Sequence, residues 1–284
     1  MLWFRFARKY MFSPKSHSVI NIIASVSVIA VAVPTAAMII LLAMFEGLTA
    51  TIDDLYSAAD SDIEVVASRG QTFADDAIAL DALSEIEGVE AVAPYLNQSV
   101  MIASAGRRTT ISLRGIDERY YDVLPVEEFM TGGSLSNISR GDIILGSTAA
   151  SEIGAYSLGI EVELYALNRK QLSTLLPTNG ISRNISYLGG VVTTNDEIDA
   201  TLALYDLERT QQLLNYPNRW SCVAIRCSEG ADIEAVQHAI EQSVGSDFEV
   251  RTRDQKNTSM NEILRMERFA ILLIGLFITL IAAF

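Results

Sequence analysis

The sequence predicts a membrane-anchored α+β protein, and three observations lead there. Uncharged apolar stretches occupy both ends, Val19 to Phe45 and Phe269 to Phe284, around an acidic middle of ordinary composition. Within that middle the order strand, helix, strand occurs twice, on either side of a strand-rich segment. Charge is also unevenly placed. Four of the 21 basic residues (Arg5, Arg8, Lys9, Lys15) precede the first apolar stretch and none of the 35 acidic residues does, which leaves 17 cations against 35 anions, about −18, after it. Short cytoplasmic flanks hold Lys and Arg, so residues 1–18 are expected inside and the acidic region outside the cytoplasm. That negative charge excludes a nucleic-acid-binding role, since a phosphate backbone needs a basic face.

At the start, Leu2, Trp3, Phe4 and Phe6 mix with Arg5, Arg8 and Lys9, the composition of a short helix on the inner leaflet or of a basic anchor. The first apolar stretch, residues 19–45, has 27 residues, enough at ~1.5 Å each to cross a ~30 Å hydrocarbon core with tilt. A cleavable signal peptide shares the basic start, and Ala32 to Ala37 resembles a cleavage region. Its apolar core runs only about 7–15 residues, however, so a retained helix is the better reading. Pro34 should bend that helix and free a carbonyl, with Ser25 and Ser27 available to satisfy the backbone.

Residues 46–268 form the exported region. Ser61 to Ala67 predicts a strand, and Asp75 to Gly88 a helix with Ile78, Ala82, Leu83 and Ile86 at helical spacing. Glu90 to Leu96, Ser99 to Ala103 and Thr109 to Gly115 read as strands, the last two joined by a hairpin at Ala105-Gly106. Near the other end come a strand (Ser221 to Ser228), a helix (Ala231 to Val244) and a strand (Asp247 to Thr252). Residues 46–122 and 216–260 therefore predict two β-α-β units in one sandwich subdomain with a shared sheet.

Residues 123–215 predict an inserted, mostly-β subdomain. Its strands are Asp142 to Leu145, Ile160 to Ala166, Ile185 to Val192 and Ala200 to Tyr205, with short helices at Thr148 to Ile153 and Leu207 to Leu214. Lys170 to Arg183 follows neither period and carries Leu172, Leu175, Leu176 and Pro177, a long loop with an apolar tip. It is either functional or a poorly ordered hairpin. The closing run, Ala270 to Phe284, is too short to span as it stands and reads as a second membrane helix that continues past the last residue.

Motifs for catalysis are missing: there is no GxxxxGK(S/T), GxGxxG, HExxH or GxSxG. His17 and His238 have no second ligand at metal spacing, so neither a metal nor another cofactor is expected. Cys222 and Cys227 stand five apart in one strand, on opposite faces and about 16 Å apart, too far for a mutual disulfide. The carboxylates, including Asp53-Asp54, Asp75-Asp76 and Glu127-Glu128, read as a solvated acidic surface.

Several stretches carry a family resemblance. They are Ser18 to Leu48, ending in Met44-Phe45-Glu46-Gly47-Leu48; Val89 to Pro94 (VEAVAP); Leu113 to Asp117 (LRGID); Gly141 to Gly154 (GDIILGSTAASEIG); Leu214 to Pro217 (LNYP); and Ile263 to Phe284, with its charged Arg-Met-Glu-Arg start. Through them the chain resembles the FtsX/MacB/LolC-LolE superfamily of ABC transporter permeases, in particular its lipoprotein-releasing (LolC/LolE-type) branch. The resemblance implies a four-helix permease of the bacterial inner membrane whose large domain is periplasmic. It implies no enzymatic activity of its own: a separate cytoplasmic ABC ATPase hydrolyses ATP, and two permeases, identical or paired, convert this into movement.

For the lipoprotein-releasing branch the resemblance further implies that the cargo's acyl chains, which otherwise lie in membrane lipid, meet the outer end of the first helix at Met44 and Leu48. A protruding hook loop, mapping to Leu172, Leu175, Leu176 and Pro177, would engage a periplasmic carrier. Glu46-Gly47-Leu48 departs from the family's usual polar residue, Gly and Phe. Other branches imply a MacB-like efflux permease or an FtsX-like regulator of cell-wall hydrolases. Without the resemblance, the residues also fit a membrane-anchored binding domain with no transport role.

Overall fold

The computed structural model describes residues 19–57, 60–167, 180–256, 266, 269–278 and 280. The chain divides into two units, Met1–Ile52 with Thr258–Phe284, and Asp53–Asn257. The basic segment 1–18 lies outside the described residues.

In the first unit, helix α1 (Val19–Ser57) continues well past the uncharged stretch and keeps Pro34 in its interior. Its segment Ser25–Gly47 is long and apolar enough to cross a membrane, and none of it is buried. The hydroxyl of Ser27 donates to the Ile23 carbonyl at 2.9 Å and that of Thr35 to Val31 at 2.8 Å. These bonds serve other carbonyls than that of Ala30, the one whose usual donor Pro34 removes, which corrects the expected part for Ser27. A shorter apolar helix spans Phe269–Ile278. It approaches α1 so closely that a Cβ on Gly275 would lie 1.9 Å from the sulfur of Met38. A glycine is what lets two apolar helices meet at that distance.

The second unit begins with β1 (Ile63–Ala67) and β2 (Phe73–Ala74). The helix expected over Asp75 to Gly88 shrinks to the five residues of α2 (Leu80–Ser84). Phe73 is drawn into the core against Phe248, ring centroids 5.2 Å apart, which holds the preceding backbone extended. The two strands expected between Glu90 and Ala103 are one, β3 (Val89–Ser104). Asn97 does not break it, because its side chain accepts from the Ser112 hydroxyl at 2.6 Å and its N–H donates to Ser221 at 2.7 Å. At the hairpin, Ala105 and Gly106 both have positive φ, 49° and 81°, as a two-residue type I′ turn requires, and β4 (Arg107–Ile116) follows.

Next come α3 (Tyr120–Val123), a 3-10 turn (Val126–Phe129), β5 (Met130–Gly133) and α4 (Ser136–Arg140), none of which the sequence pattern announced. The expected elements then follow in order: β6 (Ile143–Gly146), α5 (Ser147–Glu152), β7 (Glu161–Leu167) and β8 (Ile181–Val192), the last starting four residues early because Ile181 to Asn184, expected mostly in the loop, pair with β7. After a turn of helix, α6 (Asp196–Asp199), come β9 (Leu202–Asp206) and α7 (Leu207–Leu214), which Asp206 caps by accepting from the Arg209 N–H. The chain closes with β10 (Arg219–Trp220), β11 (Cys222–Cys227), α8 (Ile233–Val244), β12 (Phe248–Thr252) and α9 (Arg253–Lys256).

Strands β12, β1, β11 and β3 lie side by side in that order, each pair antiparallel. This is the order of a split β-α-β pair. Leu83 of α2 and Val236 and Ile240 of α8 share one core with Ile63, Val65, Val223 and Ile225. The far half of β3 turns to other partners. It pairs with β4 and β7; β4 pairs with β9, β9 with β6, β6 with β8, and β8 with β7. The six strands close a ring filled by side chains such as Ile102, Leu113, Leu145, Leu164 and Ala203. Strands β6 to β9 thus depend on β3 and β4 to complete it. A second core, with Tyr95, Tyr120, Val123, Leu135 and Ile138, covers the opposite face of the sheet.

Candidate functional site

Two places in the second unit gather side chains of functional interest. The first is the root, where the chain enters and leaves this unit. Pairing of Ile63 with Thr252 brings residues 60–62 beside α9. Arg253 meets Asp62 at 2.5 Å, while the other Asp62 oxygen accepts the Cys227 N–H at 2.9 Å. Lys256 donates to Asp60 at 2.9 Å and to Glu64 at 2.6 Å. Glu64 is only 6% exposed and also accepts from the Tyr95 hydroxyl at 2.8 Å. Tyr95 packs edge-on against Tyr120 at 5.8 Å, and the Arg114 guanidinium stands 5.1 Å from the Tyr95 ring centre while donating to the Tyr120 oxygen. These contacts run without a break from α9 through β1 and β3 to β4.

Glu64 corrects the expectation of a uniformly solvated acidic surface. In Ile-Glu-Val-Val-Ala it occupies the position that alternation assigns to the outer face, but α3 and its tyrosine cover that face. Asp199 is a second exception: it is 1% exposed, taking bonds from the Ser147 and Thr194 hydroxyls at 2.9 and 2.8 Å. Burial alone would depress the Lys256 pKa, but Glu64 and Asp60 outweigh it and hold it above the ordinary lysine value. Burial, with Glu64 nearby, pushes the Tyr95 hydroxyl and the Cys222 thiol well up. Burial and Asp62 raise Cys227 to about 11. Both cysteines are free, and they face different cores, as strand alternation requires.

The second place is the opposite end. Val92 lies level with Ile63 across β11, and twelve more residues carry β3 to Ser104, at most about 40 Å farther at ~3.3 Å per residue. There the β3–β4 hairpin and the β7–β8 hairpin border an open cleft of about 790 Å³ lined by Met101, Arg107, Tyr165 and Ile181. Pairing of β7 with β8 extends to Leu167 and Ile181, both exposed. The stem carries a surface cluster in which Glu163 accepts from Arg183 and from the Tyr165 hydroxyl.

Met44 is 68% exposed on α1. Leu48 continues that helix, its side chain outside the described residues, and Leu172, Leu175, Leu176 and Pro177 lie outside them altogether. His238 sits on the exposed side of α8 beside Gln242. Among the described residues no group of three His, Cys, Asp or Glu is placed to hold a metal ion. Sequence reasoning missed the root network. Its signal was Asp-x-Asp-x-Glu leading into an apolar strand, with Arg253 and Lys256 just after the strand that pairs with it.

The model of the MacB-like periplasmic core domain matches residues 24–243. The chain belongs to that family. The family is that of ABC transporter permease subunits, which work with a cytoplasmic ATPase, and the chain falls within the FtsX/MacB/LolC superfamily. Its MacB-like core and apolar N-terminal helix fit a membrane-anchored transporter with a periplasmic domain. The matched span ends within α8, so Arg253 and Lys256 lie beyond it. The lipoprotein-releasing system transmembrane protein LolC of Neisseria meningitidis serogroup B is 23% identical over 286 residues, covering 97% of this chain and 66% of the relative, so the chain spans just under two thirds of that protein. Among solved structures, the periplasmic region of MacB from Actinobacillus actinomycetemcomitans aligns with a TM-score of 0.47 at 15% identity, covering 72% of this chain and 93% of that one. The extracellular domain of the transporter YknZ from Gram-positive bacteria gives 0.46 at 15%, covering 67% and 99%.

Proposed function

We propose that this chain is part of the permease subunit of a mechanotransmitting ABC transporter that draws lipoproteins out of the bacterial inner membrane toward a periplasmic carrier. The observation that carries this reading is the alignment of a lipoprotein-releasing protein over 97% of the chain, from the first apolar helix through the second. The acidic domain is periplasmic, residues 1–18 are cytoplasmic, and the helix beginning at 269 returns to the cytoplasm. A cytoplasmic ATPase supplies the energy and a second permease completes the assembly. Met44 and Leu48 contact acyl chains, a role suited to a flexible thioether on an exposed helix face. Leu172, Leu175, Leu176 and Pro177 form the carrier-binding loop, supported by the paired stem that projects it.

Depletion tests the reading. Lipoproteins destined for the outer membrane are expected to accumulate in the inner membrane, and correct localisation after depletion would sink the proposal. Deleting residues 172–180 is expected to block transfer to the carrier while the protein still assembles with its ATPase. Unimpaired activity after that deletion would instead favour an efflux or hydrolase-regulating role.

A further inference from the structure

We infer that Lys256, joined to Asp60 and Glu64, is a tension clasp: it holds the segment entering the exported domain to the segment leaving it, so that pulling on the membrane helices displaces the domain instead of peeling β12 from β1. The inference rests on the permease reading, in which force reaches this domain through those helices.

Ladder geometry makes such a clasp necessary. Among the described residues, strand β12 is an edge strand, bonded to β1 alone. Because the pair is antiparallel, the start of β1 (Ile63) lies opposite the end of β12 (Thr252), so both connections emerge at the same end of the ladder. Pulling them apart loads the backbone bonds one at a time, the weakest way to load a sheet. The ion pairs stand at that end. Arg253–Asp62 comes first, and Lys256 then ties α9 to Asp60, and to Glu64 inside β1. Glu64 is anchored by Tyr95 on β3, two strands farther into the sheet, so a load on Lys256 passes to the strand that reaches the opposite end.

Burial separates this arrangement from an ordinary surface ion pair. The side chains of Lys256, Asp60 and Glu64 are 20%, 18% and 8% exposed, which keeps their attraction from being screened. A domain that had only to be stable gains little from burying a lysine between two carboxylates, since apolar residues of similar volume do as well. Resistance to separation in one direction is what the ion pairs add.

The test uses the complete permease with its ATPase in lipid nanodiscs, comparing Lys256→Arg with the neutral triple variant Asp60→Asn, Glu64→Gln, Lys256→Met. The neutral variant is expected to assemble and hydrolyse ATP while releasing cargo about tenfold more slowly, and Lys256→Arg to release it at nearly the native rate. Release by the neutral variant at the native rate, or equal loss in Lys256→Arg, overturns the clasp. A second measurement does not depend on transport: pulling the same protein by handles at positions 57 and 266. The native chain is expected to show a first rupture before the domain unfolds, and the neutral variant to lose it; identical traces overturn the inference. Asp60→Asn, which leaves Glu64 and Lys256 paired, serves if the triple variant does not fold. It should show a smaller loss in both readouts, and no change in either counts against the clasp. Absence of ATP-driven release by the native protein would refute the permease reading, and the pulling traces then decide the clasp alone.

Discussion

The root and the opposite end of the second unit both combine acidic, basic and tyrosine side chains, yet the two clusters differ in what surrounds them. At the root, Lys256, Glu64 and Tyr95 are largely buried, and Glu64 accepts from both of the others. At the far end, Glu163, Tyr165 and Arg183 lie on the outside of the strand ring, where water competes for every bond and salt screens the charges. Similar side chains therefore do different work: the root cluster binds separate segments of chain together, and the far cluster decorates a stem. Burial, more than residue type, sets the difference.

The largest effect should come from breaking the root on one side only. Lys256→Met leaves Glu64 buried without its cation and is expected to destabilise the domain by about 3 kcal/mol in chemical denaturation, whereas Arg183→Met at the far end should leave the midpoint unchanged. Equal effects would abolish the contrast. Next in size is thiol reactivity. With its pKa raised to about 11, Cys227 holds about 100-fold less thiolate than an unshifted thiol, so maleimide labelling of the native protein should be slow at both cysteines and become fast on unfolding.

Smaller still is Tyr95→Phe, which removes one bond to a buried carboxylate and should cost about 1.5 kcal/mol by the same denaturation assay. The Tyr165→Phe counterpart should cost less.

The smallest effects are in pH dependence, and they have opposite signs. Lys256, with a raised pKa, gives its full stabilisation below the unfolded lysine value of about 10.4 and loses it as pH rises through the higher folded value. Bonds from Tyr165 and Arg183 lower the Glu163 pKa. Its contribution is present above the unfolded carboxylate value of about 4.3 and disappears as pH falls through the folded one. NMR titration should therefore show the Glu163 contribution lost in acid and the Lys256 contribution lost in strong alkali.

Much of the backbone was legible before any coordinates. The helix at Ala231 to Val244, the Ala105-Gly106 turn and the strand at Ser221 to Ser228 rest on signals local to a few residues, and the structure has each at that place to within two residues. Elements of one turn, such as α3 and α4, left no trace because so few residues carry no period. The candidate sites were legible unequally. Met44 is singled out through the family resemblance alone, because one methionine among many exposed apolar residues of a helix carries no local signal of its own. The root network left only a cluster of charges at the ends of two strands that the sequence does not pair, and nothing local distinguishes Glu64 or Arg114 from the outward charges of any half-buried strand.

The sequence alone determined the apolar helix, the acidic region that follows it and the two β-α-β runs, because periodicity and charge act through neighbours along the chain. Tertiary structure alone decided which strands close the ring and which polar residues are buried. The parallel pairing of β4 with β9 joins residues nearly a hundred positions apart, and the burial of Glu64 depends on Tyr95 and Tyr120 folding over it. Burial is a property of what covers a surface, and at the root that cover comes from distant parts of the chain.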